Sequence, residues 1–153
     1  IDRVLAGPEK KDRVMTEKRK TLVAYHEAGH ALVGALMPDY DPVQKISIIP
    51  RGRAGGLTWF TPSEDRMESG LYSRSYLQNQ MAVALGGRIA EEIIFGEEEV
   101  TTGASSDLQQ VARVARQMVM RYGMSEKLGP VALGRQQGNM FLGHDIASER
   151  EFS

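Results

Sequence analysis

The chain has 153 residues, of which 41% are hydrophobic and 25% charged, and its formal net charge at pH 7 is -1. This length and composition suit one globular domain with a hydrophobic core, whereas the near-zero charge argues against a nucleic-acid-binding protein, which needs a basic excess. The chain has no cysteine, which excludes disulfides and thiolate metal ligands, and no apolar run approaches the roughly 18 to 20 residues of a membrane span.

The first 13 residues are polar and contain a Gly-Pro break, a composition typical of a linker or arm. The chain begins without Met and stops at what looks like the start of a further element. We therefore expect residues 1–13 to be a linker and residues 14–153 to be a domain cut from a longer protein.

A helix is predicted over residues 16–37, where apolar side chains recur at steps of three and four, and Pro38 ends it. Much of its surface is apolar, which predicts that it is buried together with its two histidines. Residues 43–60 read as two short strands around a Gly/Pro-rich connection, which indicates a β-hairpin.

A second long helix is predicted over residues 73–95, although it contains Gly86-Gly87, and each glycine costs about 1 kcal/mol relative to alanine within a helix. The close approach of another helix would compensate, and the histidine-bearing helix is the candidate.

A third helix is expected to start near Ser105 or Ser106 and to be capped at Gly123, followed by a short strand over residues 130–133. The predicted fold class is therefore mainly α with a small β-hairpin, that is, α+β.

The segment AYHEAGH carries the chemistry that stands out in this sequence. His26 and His30 are four residues apart, so on a helix their imidazoles lie on one face and can bind one ion. Glu27 follows the first histidine, as in the His-Glu-x-x-His motif of zinc peptidases, where the glutamate takes a proton from the attacking water. The alternative is a pair of buried histidines with no metal.

Catalytic zinc normally has three protein ligands, so a third must come from elsewhere. The candidates are Asp107, Glu91, Glu92 and His144. The residues alone do not decide between Asp107, which follows a turn of small side chains, and the two glutamates, which lie on the glycine-containing helix.

The strand at residues 56–60 is a candidate substrate-binding element. An edge strand near a metal could pair with an extended substrate chain through its backbone. The residues concerned are Gly56, Leu57, Thr58, Trp59 and Phe60. The alternative is a buried strand that places the tryptophan of this chain in the core.

Taken together, these motifs resemble the peptidase domain of the FtsH family of membrane-anchored, ATP-dependent zinc metalloproteases. The resemblance covers essentially the whole chain. The segments that carry it are IDRV at 1–4, HEAGHA at 26–31, KISIIPRG at 45–52, GGRIAEE at 86–92 and TGASSDL at 102–108.

The resemblance implies Asp107 as the third zinc ligand, Glu27 as the catalytic base, and either Glu91 or Glu92 as the carboxylate that orients a histidine. It implies one Zn²⁺ per chain, with ATP used only by an AAA-type module outside this chain, to which residues 1–13 would be the linker. The implied substrates are unfolded or damaged membrane proteins. A catalytically inactive ring-forming scaffold and a structural zinc site closed by four protein ligands are the alternatives.

The resemblance also implies a homo- or hetero-hexamer in the full-length protein, no nucleic-acid partner, and membrane anchoring through regions absent from this chain. The segments at 61–88 and 138–143 look most similar to members from cyanobacteria and chloroplasts. This similarity predicts a location at the thylakoid membrane, with the peptidase domain on the cytosolic or stromal side.

Overall fold

A computed structural model describes residues 15–51 and 55–134. The predicted linker and His144 lie outside the described residues. By their internal contacts, the described residues divide into two compact units, one up to residue 111 and one from residue 112 onwards. In the part of the chain that the structure describes, no helix combines the length and hydrophobicity that a membrane span requires.

The elements follow each other in the predicted order, and the α+β fold class is confirmed. They are helix α1 (Glu17–Leu36), strands β1 (Val43–Ser47) and β2 (Leu57–Phe60), helices α2 (Glu64–Ser69) and α3 (Arg74–Phe95), 3-10 turns at Glu97–Glu99 and Thr102–Ala104, and helix α4 (Ser105–Met120).

Helix α1 begins and ends where its capping residues dictate. The Thr16 hydroxyl accepts a hydrogen bond from the backbone N–H of Arg19 at 3.2 Å, and the residue after the helix precedes Pro38, which favours extended backbone. The burial expected of the whole helix holds for one face only, because Leu32 and Leu36 on another face are 62% and 72% exposed.

Helices α1 and α3 cross in close contact at glycines. Tyr25 packs against Phe95 and His30 bonds to Val83, so the two helices run antiparallel. A Cβ atom built on Gly29 would overlap the backbone carbonyl oxygen of Gly86, and one built on Gly86 would lie 2.7 Å from that of Gly29. The predicted compensation for a mid-helix glycine pair is therefore confirmed at Gly86.

The predicted hairpin is also confirmed. Strands β1 and β2 pair antiparallel, with Val43 opposite Phe60 and Ser47 opposite Leu57. Hydrogen bonds also connect the segment between α1 and β1 to helices α2 and α3.

Arg66 of α2 donates to Asp39 and Asp41 at 2.8 Å each, and the Tyr76 hydroxyl of α3 donates to Asp41 at 2.7 Å. Because Asp41 is 5% exposed, this network fixes the approach of the chain to the hairpin.

In the second unit, the cap at Gly123 is confirmed, but the strand predicted over residues 130–133 is wrong. Gly123 has a left-handed φ of +59°, and the N–H of the next residue, Met124, donates to the Met118 carbonyl at 2.9 Å, so the glycine turns the chain back onto the last turn of the helix. The N–H of Leu133 donates to the carbonyl of Met120, so this segment satisfies the end of a helix instead of pairing in a sheet.

We predict that Gly29→Ala lowers the free energy of unfolding by about 2 kcal/mol, because the added methyl group meets backbone that cannot move without separating the helices. Chemical denaturation measures the change. Ala28→Ser, on an exposed position of the same helix, is the control and should shift stability by less than about 0.5 kcal/mol. Equal effects of the two substitutions would contradict the tight crossing.

Candidate metal centre

Two side chains of helix α1 and one of helix α4 meet at one point. The Nε2 atoms of His26 and His30 are 3.1 Å apart, and each lies near Oδ2 of Asp107, at 3.2 and 3.3 Å respectively. Ligands of a tetrahedral zinc ion at 2.0–2.1 Å are separated by about 3.3 Å, so the triangle has the dimensions that the ion needs. Among the described residues, no fourth His, Asp or Glu side chain joins this group.

Each imidazole is held from behind through its other nitrogen. His26 Nδ1 bonds to Oε2 of Glu91 at 2.6 Å, and His30 Nδ1 bonds to the carbonyl oxygen of Val83 at 2.7 Å. Since a carboxylate and a carbonyl only accept, both Nδ1 atoms carry the proton, which leaves the Nε2 lone pairs available to a metal.

Glu91 and Glu92 occupy different environments despite being neighbours. Glu91 is fully buried, and its second oxygen accepts hydrogen bonds from the backbone N–H and hydroxyl of Thr101, at 3.0 and 2.7 Å. Glu92 is half-buried and does not belong to the group formed by the two histidines and Asp107. Glu91 therefore connects His26 to the turn that leads into the helix of Asp107.

Glu27 lies beside the triangle and is held by strand β2. Its side chain is 7% exposed, and its Oε1 atom is 3.1 Å from the Thr58 hydroxyl, which also lies 2.9 Å from the Glu27 backbone carbonyl. Burial raises the pKa of Glu27 above its ordinary value, although the nearby imidazoles and Thr58 act in the opposite direction. A carboxylate with a raised pKa is better suited to accept a proton at neutral pH.

A cavity of about 1180 Å³ opens onto these groups. Its walls contain four of the five residues predicted on the substrate strand, Gly56, Leu57, Thr58 and Phe60. Trp59 is instead buried, with the ammonium group of Lys45 4.5 Å from its ring centre. The tryptophan is therefore buried, as the alternative for this strand expected, and the substrate-binding role of the strand stays a prediction.

The three side chains of the triangle shift one another's pKa values. Burial lowers the pKa of His26, but hydrogen bonds to Asp107 and Glu91 outweigh it and raise the pKa to about 9. Burial also lowers the pKa of His30, and bonds to Asp107 and the Val83 carbonyl reverse this, so that the pKa is raised. Burial raises the pKa of Asp107, yet the two imidazoles lower it to about 2.

The residues present fit a zinc ion. The donor set that the described residues bring together is two imidazoles and one carboxylate, and each imidazole is oriented by an acceptor on its other nitrogen, as is usual for zinc ligands. Of the candidates for the third ligand, Asp107 lies next to the Nε2 atoms of both histidines. Glu91 contacts Nδ1 of His26, and Glu92 does not belong to the group.

Three contacts at the site were not anticipated from the sequence. They are made by the Thr58 hydroxyl, the Val83 carbonyl and Thr101. Thr101 lies in the small-residue turn before Asp107, ten residues after Glu91. This position is only a weak indication that Thr101 contacts Glu91. A backbone carbonyl such as that of Val83 gives no sequence signal at all.

Comparison with known proteins agrees with the resemblance. The model of the family described as Peptidase family M41 matches residues 13–153. The whole chain is 92% identical to ATP-dependent zinc metalloprotease FtsH 3 of Synechocystis sp., of which it covers 25%, and 70% identical to ATP-dependent zinc metalloprotease FTSH 5, chloroplastic, of Arabidopsis thaliana, of which it covers 22%.

The chain thus spans about a quarter of the length of these curated relatives. The predicted similarity to cyanobacterial and chloroplast proteins is confirmed. With a family model that matches nearly the entire sequence, this chain belongs to peptidase family M41.

Proposed function

We propose that this chain is the zinc endopeptidase domain of an ATP-dependent protease and hydrolyses peptide bonds of unfolded or damaged membrane proteins. The observation that carries the proposal is the triangle of His26, His30 and Asp107, beside which Glu27 faces the same cavity. Relatives over the whole chain are named ATP-dependent zinc metalloproteases, which supports zinc as the metal and an ATPase module outside these residues.

In this proposal, His26, His30 and Asp107 hold the zinc ion, and Glu91 orients His26. Bound zinc acts as a Lewis acid that lowers the pKa of a water molecule from 15.7 to about 7. Glu27 takes the proton from the attacking water and delivers it to the leaving amine. Its raised pKa and its hydrogen bond to Thr58 suit it to both steps.

Strand β2 supplies the substrate-binding edge in this account. It pairs with β1 on one side and has no strand partner on the other side among the described residues. Since Leu57 and Thr58 line the cavity at Glu27, an extended peptide paired to this edge would lie across the metal centre. Backbone pairing makes little demand on sequence, which suits a protease of unfolded chains.

The full-length protein is proposed to assemble as a homo- or hetero-hexamer anchored in the thylakoid membrane. The peptidase domain would face the cytosol or stroma. Support comes from the cyanobacterial and chloroplast relatives, and the anchoring and ring-driving regions would be outside this chain.

We expect Glu27→Gln to reduce cleavage of an unfolded substrate by the full-length protein about 10²- to 10⁴-fold while zinc remains bound, because only the proton acceptor is lost. ATP-dependent proteolysis and zinc content are measured together. Glu92→Gln is the control, since that carboxylate does not reach the site, and it should cleave at the normal rate. Wild-type cleavage by Glu27→Gln would refute the assigned base.

Zinc affinity should rise with pH between 7 and 9. The metal-free His26 has a pKa of about 9, so zinc must displace its proton below that value, and each displaced proton contributes a factor of about ten per pH unit. Competition with a chelator of known pH dependence measures the slope. An affinity that is constant from pH 7 to 8.5 would contradict this prediction, because it would show that zinc displaces no proton from Nε2 of His26 in this range.

Peptide binding to the Glu27→Gln protein should respond to N-methylation with a period of two. A paired strand directs every other N–H to its partner, so methyl groups at alternate positions should weaken binding and those between them should not. Binding of a series of singly N-methylated peptides tests this. Equal sensitivity at all positions would exclude strand pairing as the binding mode.

A further inference from the structure

Gly87 faces the two imidazoles of the metal centre. A Cβ atom built on Gly87 would overlap Nε2 of His26 and lie 2.6 Å from Nε2 of His30. Carbon atoms in contact are ordinarily 3.5–4.0 Å apart, so even a methyl group at this position is incompatible with the present imidazole positions.

Rotation of either imidazole away from Gly87 is energetically unfavourable. Each is anchored at Nδ1, His26 by Glu91 at 2.6 Å and His30 by the Val83 carbonyl at 2.7 Å, and both residues are only 7% exposed. A ring that swings away from a new side chain at Gly87 would leave a buried donor and acceptor unpaired, which is unfavourable.

The preceding residue, Gly86, has a different neighbour. A Cβ atom there would meet the backbone oxygen and carbon of Gly29, at 2.7 and 3.0 Å, and no metal-centre side chain is among its nearest atoms. The two adjacent glycines therefore meet different constraints. Gly86 allows the close helix crossing, and Gly87 leaves space for the Nε2 atoms of the two histidines.

We propose that Gly87 is a positioning residue of the metal centre: its missing side chain leaves the Nε2 atoms of His26 and His30 in the arrangement that binds the ion. The proposal rests on the zinc site of the proposed function. It assigns a role in metal binding to a residue that contributes no ligand atom and no side-chain contact.

Gly87→Ala in the full-length protein is expected to weaken zinc binding at least tenfold, as measured by competition with a chromogenic zinc chelator. Gly55→Ala is the control: among the described residues, the atom nearest to its Cβ belongs to Val23, at the ordinary distance of 3.7 Å, so the variant should keep the wild-type zinc affinity. Wild-type affinity in Gly87→Ala would overturn the proposal.

A second experiment is independent of the metal and of activity. Hydrogen exchange by mass spectrometry reports the protection of α1 and α3 in zinc-free full-length protein with and without Gly87→Ala. The substitution should reduce protection in the wild-type background but not in a His26→Ala/His30→Ala background, where the colliding rings are gone.

Equal loss of protection in both backgrounds, or failure to fold in both, would overturn the proposal, because the collision would then lie elsewhere. Folding of Gly87→Ala only when the histidines are removed would support it. Failure of the wild-type protein to bind zinc would refute the proposed function and the role of Gly87 in metal binding. The hydrogen-exchange comparison would then still show whether a side chain at Gly87 collides with the two imidazoles.

Discussion

The contact that the rest of this structure depends on is the crossing of α1 and α3 at Gly29 and Gly86. Without side chains at these positions, the two backbones come close enough for His26 to reach Glu91 and for His30 to reach the Val83 carbonyl. A wider crossing would leave both imidazoles without the acceptors that fix their orientation. The unfavourable helix propensity of glycine, about 1 kcal/mol each, is thus offset by packing that also builds the site.

The charges at the site suit a bound cation. Glu91 and Asp107 place carboxylate oxygens against two buried imidazoles, and in the absence of a metal these imidazoles retain protons because the carboxylates stabilise the charged form. Zinc and protons therefore compete for the same Nε2 atoms. Glu27 stands outside the triangle and is bonded to strand β2, a position that suits the proton transfer proposed for it.

The sequence predicts features that depend on neighbouring residues, such as helix boundaries. It does not predict features that depend on how helices α1 and α3 pack against each other. Helix boundaries follow from Thr16, Ser73 and Pro38, and the shared face of the histidines follows from their spacing. The choice between Glu91 and Glu92 depends on the rotation of α3 relative to α1, which no periodicity reveals. Only the family resemblance favours Asp107 as the third ligand, since its separation of 77 residues from His30 carries no geometric signal. The apolar run at 130–133 was misread because four residues cannot distinguish a strand from a helix-capping segment.

The most direct test of the account is a crystal structure of the zinc-loaded protein with an anomalous map at the zinc edge. One peak is expected at about 2.0–2.1 Å from the Nε2 atoms of His26 and His30 and from the Asp107 carboxylate, with a fourth position open to solvent. A peak elsewhere, or a fourth protein side chain that closes the coordination, would contradict it.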